Sequence, residues 1–252
     1  MRCSALGCLF VEPKSKADRD AGELSGTAKT YLAKAYIMEF WGRSKDITTK
    51  QINKGNLAED EVISLLGFVD NKMYTKNTER KSNEWISGHA DIVDEIIIDA
   101  KASWDAETFI PKLTEPLDKT YYYQLQGYMW LYGRKKGRVS YGLVNCPDMI
   151  LQNERRKLLF NMNVATELSP EYLEAAMELD RNLIFDDIDP FQRVISIDVD
   201  LDEEVISQIP GKVKKARQFL SWLEQQHLSG RKYIPAAKPI IPISSIPIIK
   251  IK

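Results

Sequence analysis

Apolar positions along the chain follow two different spacings, and the switch between them outlines the fold. Residues 12–23 are polar and predict a loop. Tyr31, Leu32, Ala35, Ile37, Met38 and Trp41 then recur at helical spacing, with Ser25 or Thr27 as the cap and Gly42 as the stop. A second helix is predicted from about Leu57 to Leu66, burying Leu57, Ala58, Val62, Ile63, Leu65 and Leu66 and closed by Gly67. The spacing next turns strand-like. Trp85–Val93 and Ile96–Ser103 are separated only by Asp94-Glu95, which predicts a hairpin. A helix from about Tyr121 to Tyr132 ends at Gly133, and residues 138–146 predict a strand. Pro170 opens a helix to about Leu183, residues 193–199 predict a strand, and a long helix covers about 202–227. No internal repeat is visible. This order predicts one α/β (or α+β) domain with peripheral helices.

Both ends of the chain depart from this pattern. Residues 233–252 hold eight Ile and four Pro, a density that forbids a helix and allows at most an edge strand. An extended or disordered tail over 231–252 is expected, with a strand-like arm docking on its own domain or a neighbouring subunit as the alternative. The apolar run from Ala5 to Val11 is broken by Gly7 and ends in Glu12-Pro13 without a small-residue cleavage site. It reads as an ordinary N-terminal element of a domain spanning 1–230, not as a signal peptide or a membrane span.

Composition narrows the classes. With 252 residues, 44% hydrophobic and 28% charged, the chain is an ordinary globular protein, neither wholly disordered nor membrane-embedded. Lys+Arg number 35 against 36 Asp+Glu, so any nucleic-acid surface must be a local patch. Three cysteines (Cys3, Cys8, Cys146) and two histidines (His89, His227) give no metal framework, and a reducing cytoplasm is expected. No phosphate-cradling glycine loop is present, which excludes a motor and built-in ATP use.

The informative stretch runs from Asp91 to Lys101. Asp99 and Lys101 alternate by two on a strand and so share a face. A hairpin centred near Glu95 sets Asp91 opposite Asp99. Two carboxylates and an ammonium then converge beside a buried Ile96-Ile97-Ile98 run, where charges are costly unless paired or bound to metal. Paired hard oxygens suit Mg²⁺ or Mn²⁺, which lowers the pKa of a bound water and polarises a phosphoryl oxygen. Those parts suit phosphodiester hydrolysis. An Asp-x-Lys triplet alone is common by chance and reads first as a solvated surface pair. Its context is Gly55-x-x-x-Glu59 upstream, Gly88-x-x-Asp91 at hairpin distance, and Gln124-x-x-x-Tyr128 one helical turn apart downstream.

These four motifs, in this order, resemble the motif set of the PD-(D/E)XK nuclease superfamily, within it the RecB-like branch and the YqaJ-like phage recombination exonucleases that include lambda exonuclease. Arg2-Cys-Ser-Ala-Leu-Gly and Gly22 to Tyr31 are also similar to the N-terminal segment of YqaJ-like proteins. The resemblance covers roughly residues 1–230 and implies a restriction-endonuclease-like core at about 50–147. That core is a central mixed sheet flanked by helices, with extra N- and C-terminal helices. It implies Asp91, Asp99, the Ala100 carbonyl and Glu59 as metal ligands for Mg²⁺ or Mn²⁺. Lys101 would position or activate the attacking water, and Gln124 and Tyr128 would support the site or contact the DNA backbone. Glu59 is preferred over Glu61, which faces another way on a helix. The implied activity is 5′→3′ digestion of linear duplex ends in recombination or repair, in a bacterial cytoplasm and phage or prophage encoded. DNA is the implied partner, with a single-strand annealing protein and a homo-oligomer as further partners and no membrane.

Secondary candidates surround this set. His89 lies two residues before Asp91 and reads either as a contact to metal or phosphate or as a hydrogen-bonded edge histidine. His227 reads as solvated at a helix C-terminus. The Tyr121-Tyr122-Tyr123 run with Trp130 and Tyr132 reads as packing before base stacking, and Ser103 and Trp104 flank the triplet. Basic clusters at Arg134-Lys135-Lys136-Gly137-Arg138, Arg155 to Lys157 and Lys212 to Arg217 are candidate phosphate contacts, the first being favoured for following the Gln124–Tyr128 helix. The CRISPR-associated exonucleases share these motifs but carry four cluster-binding cysteines, against three here. A non-catalytic DNA-binding scaffold, an endonuclease using the same site and an enzyme on a small phosphoester are the competing readings.

Overall fold

The computed structural model describes residues 1–43, 49–164 and 166–229. The Ile/Pro-rich segment, with its expected extended form, lies outside them. A four-stranded mixed sheet runs in the order β3 (Ile92–Val93), β4 (Ile97–Ala102), β5 (Lys136–Gly142) and β6 (Val194–Asp200). The β3–β4 and β5–β6 pairs are antiparallel and the β4–β5 pair is parallel. A parallel neighbour needs a crossover. Here α6 (Ala106–Phe109) and α7 (Lys119–Tyr132) supply it.

Ile97, Val139 and Tyr141 meet Leu125, Tyr128 and Met129 of α7 on one sheet face. On the other, Ile92, Ile98 and Ala100 meet Val62, Ile63 and Leu66 of α5 (Glu59–Val69). Each such isoleucine, fully buried, contributes about 1.5–3 kcal/mol. Short α1 (Leu6–Phe10), α3 (Gly26–Trp41) and α10 (Glu203–Leu228) pack outside α7. The pair α8 (Asp148–Met162) and α9 (Pro170–Leu183) stands beyond β5. No described helix is long and apolar enough to cross a membrane.

Four expectations change. The second predicted helix is two: α4 (Lys50–Leu57) and α5, broken at Ala58 (φ −100°, ψ 3°). Leu57 is exposed, and Gly67 lies inside α5, where a Cβ would come within 2.7 Å of the Lys72 carbonyl oxygen. Gly67 is therefore needed for close packing, not for termination. The first hairpin strand is only β3. Ser87–Gly88 (β2) pairs instead with Lys81–Ser82 (β1). The predicted loop contains α2 (Lys16–Asp20), capped by the Ser15 hydroxyl but burying no side chain. Finally, α8 occupies a stretch with no predicted element, and it buries only Ile150 and Leu151.

Candidate active site

The hairpin turns where its spacing indicates. Ile92 faces Ile98 and Val93 faces Ile97, which centres the turn on Glu95 and carries Asp91 to the flank of Asp99 and Ala100. The β3 ladder stops at Ile92, and the Asp91 side chain takes over from it, with Oδ2 accepting from the Ala100 amide at 2.8 Å. In an antiparallel pair a residue's N–H and C=O point to the same side. The Ala100 carbonyl therefore points towards Asp91 and away from β5.

Asp99 is fully buried, and its Oδ2 lies 2.7 Å from the Lys101 ammonium. That oxygen makes no directed hydrogen bond among the described residues. Gln124 Nε2 donates to Asp99 Oδ1 at 3.0 Å and to the Tyr128 hydroxyl at 3.1 Å. Gln124 and Tyr128 lie one turn apart on α7, so this spacing delivers both to the carboxylate. Burial, then Asp99, pushes the Asp91 carboxyl up to about 7. Burial alone would lower the Lys101 ammonium, but Asp99 and Asp91 together raise it above its ordinary value. Burial and the same two acids raise the Tyr128 hydroxyl. The site therefore holds more negative charge than it neutralises.

Glu59 stands at the first position of α5, where Lys76 Nζ reaches its Oε1 at 3.2 Å and Asp60 Oδ1 at 2.8 Å. It is near enough to Asp91 to raise that carboxyl further. Glu61 faces away, towards Lys54, Asp148 and Asp186, and burial raises its pKa. Among the described residues no group of three His, Cys, Asp or Glu side chains is clustered closely enough to hold a metal ion by itself. Mg²⁺ does not require that, because it keeps several waters and takes one or two carboxylates plus substrate phosphate. Two converging carboxylates, one with an oxygen lacking a directed hydrogen bond, and a carbonyl turned to the same side form a donor set that fits such an ion.

Two glycines beside the site, Gly88 of its motif and Gly127 of α7, have steric reasons. A Cβ on Gly88 would lie 2.7 Å from Tyr128 Cε1 and 3.0 Å from Cys3 Sγ. One on Gly127 would lie 2.7 Å from Leu6 Cδ1 and 3.0 Å from the same sulfur. The N-terminal element thus wedges Cys3 behind Tyr128. Gly55 has open space around it.

The other candidates fall outside this centre. Arg138 pairs with Asp198 and Asp70, Lys135 with Glu203, and Arg134 Nε donates to the Asp94 carbonyl. In register Arg138 adjoins Ile98, whose side chain packs with α5, so it points away from the face holding Asp99 and Lys101. Lys136 is exposed at the start of β5. Arg155 is held by Asp180 and Lys157 by Glu154. Lys212 lies over the Phe10 ring, Lys215 donates to the Gly22 carbonyl, and Arg217 lies over Trp85. His89 is exposed in the loop between β2 and β3. His227 Nδ1 meets the Tyr36 hydroxyl at 2.8 Å, and its ring abuts Tyr36, Phe40 and Trp41. Tyr122 donates to Asp202, Tyr123 stacks on Phe10, and the Tyr132 hydroxyl donates to the Glu79 carbonyl, all packing roles.

Two residues at the site lay outside the motif reading. The Lys101 ammonium stands 5.1 Å from the centre of the Tyr121 ring. Tyr121 lies three residues before Gln124, a helical spacing that carries the signal. Lys76 comes from an irregular polar stretch with no periodic signal.

No protein-family model matches the chain, and no curated protein does. Among solved structures, the chain is similar to a phage-related exonuclease from Haemophilus somnus 129PT, with TM-score 0.69 and 28% identity over 90% of this chain and 96% of that one. It is also similar in fold to an alkaline exonuclease from Laribacter hongkongensis, with TM-score 0.57 and 12% identity over 92% and 94%. The same Laribacter protein in complex with dAMP matches with TM-score 0.56. The fold is thus that of exonucleases, in line with the motif resemblance to YqaJ-like PD-(D/E)XK nucleases. These similarities support a nuclease function.

Proposed function

We propose that the protein is a Mg²⁺- or Mn²⁺-dependent DNA exonuclease that hydrolyses phosphodiester bonds from the ends of linear duplex DNA, in the 5′→3′ direction. The observation that carries this reading is the pairing of half-buried Asp91 with fully buried Asp99 beside Lys101, on a fold shared with exonucleases. A nucleotide bound to the Laribacter exonuclease supports nucleic acid as the substrate class. The direction, the end preference and a role in phage-type recombination or repair follow from the likeness to YqaJ-like exonucleases.

Asp91, Asp99 and the Ala100 carbonyl would hold the divalent ion, with Glu59 reaching it directly or through water. When bound, the ion supplies Lewis acidity towards the phosphoryl group and a lowered pKa for bound water. Asp99 holds the Lys101 ammonium in place, and Lys101 orients the attacking water and offsets the charge developing at phosphorus. Gln124 locks the Asp99 rotamer from α7, and Tyr128 anchors Gln124. The test is digestion of a linear duplex labelled at its 5′ end, run beside a closed circle with Mg²⁺, Mn²⁺ or EDTA. The proposal expects metal-dependent loss of the linear form alone, with early release of the label. Cutting of the circle would make the protein an endonuclease, and DNA binding without cleavage in any metal would make it a scaffold.

A further inference from the structure

Lys54, which no motif includes, is among the largest fully buried side chains of the molecule, with a relative exposure of 1%. Lysine is almost never buried so completely unless it is paired. No carboxylate pairs with it among the described residues. Its Nζ donates to the Trp104 carbonyl at 2.9 Å and lies 5.3 Å from the Phe185 ring and 5.8 Å from the Trp104 ring. Burial lowers its pKa to about 8, against the smaller opposing influence of Cys146, Asp105 and Glu61. An apolar side chain of similar length would fill the same slot without the desolvation cost. Packing alone therefore gives no reason for an ammonium here.

Its position supplies one. The Lys54 carbonyl accepts from the Ala58 amide at 2.8 Å, which closes α4 at the break immediately before Glu59. Its ammonium holds the chain at Trp104, three residues beyond Lys101, where β4 has left the sheet after the Ser103 amide bonds to the Gly142 carbonyl at 2.9 Å. One turn earlier on α4, Lys50 lies 4.6 Å from the centre of the same Trp104 ring, steadied by Glu154 at 3.0 Å. One side chain thus ties the helix break that presents Glu59 to the exit of the strand that presents Asp99 and Lys101.

We propose that Lys54 is a positioning residue of the nuclease centre, clamping the Trp104 carbonyl so that Glu59 and the Asp99–Lys101 strand keep their relative placement. This rests on the nuclease reading above. Lys54→Met removes the donor and keeps the length; Lys54→Gln keeps a shorter, uncharged donor. Native protein and both variants are compared in thermal melting, in Mn²⁺ titration calorimetry without DNA, and in single-turnover digestion of linear duplex.

For Lys54→Met the expected result is a melting temperature at or above native, a Mn²⁺ midpoint at least threefold higher and cleavage at least tenfold slower, with Lys54→Gln between the two. If Lys54→Met does not fold, Lys54→Gln decides by the same midpoint and rate. Native-like midpoint and rate in the folded variant, or a loss of rate that tracks loss of folded protein alone, overturns the clamp. A native protein that cuts no DNA with either metal overturns the nuclease reading on which the clamp rests.

Discussion

Two charged regions share β4 and β5, and they are built on opposite terms. At the carboxyl end of β4, Asp91 and Asp99 are brought together with one ammonium, that of Lys101, paired to Asp99, and burial drives Asp91 up to about 7. On the α5 face, Arg138 is matched by Asp198 and Asp70, and nearby Lys135 by Glu203, all at least partly in water. The second arrangement costs little and contributes little, because exposed pairs are worth about 0–1 kcal/mol. The first carries a standing electrostatic cost that a ligand of opposite charge would relieve. In sequence both are charge clusters. The difference lies in whether the fold neutralises them, and that difference is what supports the proposed site at this end of the sheet.

The comparison breaks most sharply under substitution. Asp99→Ala and Lys101→Ala are each expected to slow cleavage of linear duplex by at least about 1000-fold, on the scale of a lost charge-stabilising group. Lys101→Ala should keep DNA binding in a gel-shift assay. Full digestion by Lys101→Ala would end the mechanism. Gly88→Ala should act on the same centre through packing, since its Cβ has 2.7 Å to Tyr128 Cε1. A loss of about 1–3 kcal/mol in urea unfolding is expected, with slowed cleavage.

Proton linkage sharpens the contrast next. Asp91 has a folded pKa of about 7, raised from 3.8, so its protonated form favours folding. That stability is complete below pH 3.8 and is lost as pH rises through about 7. In EDTA, Asp91→Asn should therefore be more stable than native at pH 8, on the order of 2 kcal/mol, with the gap closing towards pH 4. An unchanged gap across that range would mean that Asp91 is not strained by its neighbours. The smallest effect belongs to the other region. Arg138→Ala should change stability by under about 1 kcal/mol and cleavage by under threefold, checked by melting and by the same digestion.

Much of this contrast was legible in the sequence. Asp94-Glu95 between two apolar runs fixed the hairpin centre, and with it the approach of Asp91 to Asp99. The Gln124–Tyr128 spacing placed both side chains on the carboxylate side of α7. The α9, β6 and α10 segments also lie within a residue or two of their predicted bounds. What escaped had weak or misleading local signals. The α8 helix buries two apolar side chains, too few to make a stripe. The α4–α5 break hides inside one apolar run, and Gly67 imitates a helix stop. Lys54 carries no signal in the sequence, because nothing local reports the Trp104 and Phe185 rings beside it. The basic run at Arg134–Arg138 looked available for phosphate because its partners, Asp70, Asp94, Asp198 and Glu203, are distant in sequence.

The most direct test of the central claim is titration calorimetry of Mn²⁺ into native and Asp99→Asn protein at pH 6.5, in buffers of different ionisation enthalpy. The native protein should bind the ion and release a fraction of a proton from Asp91 as it does so, and Asp99→Asn should show no binding. A native protein that takes up no divalent ion, or an Asp99→Asn variant that binds it equally well, would contradict the assignment of this carboxylate pair as the catalytic metal centre.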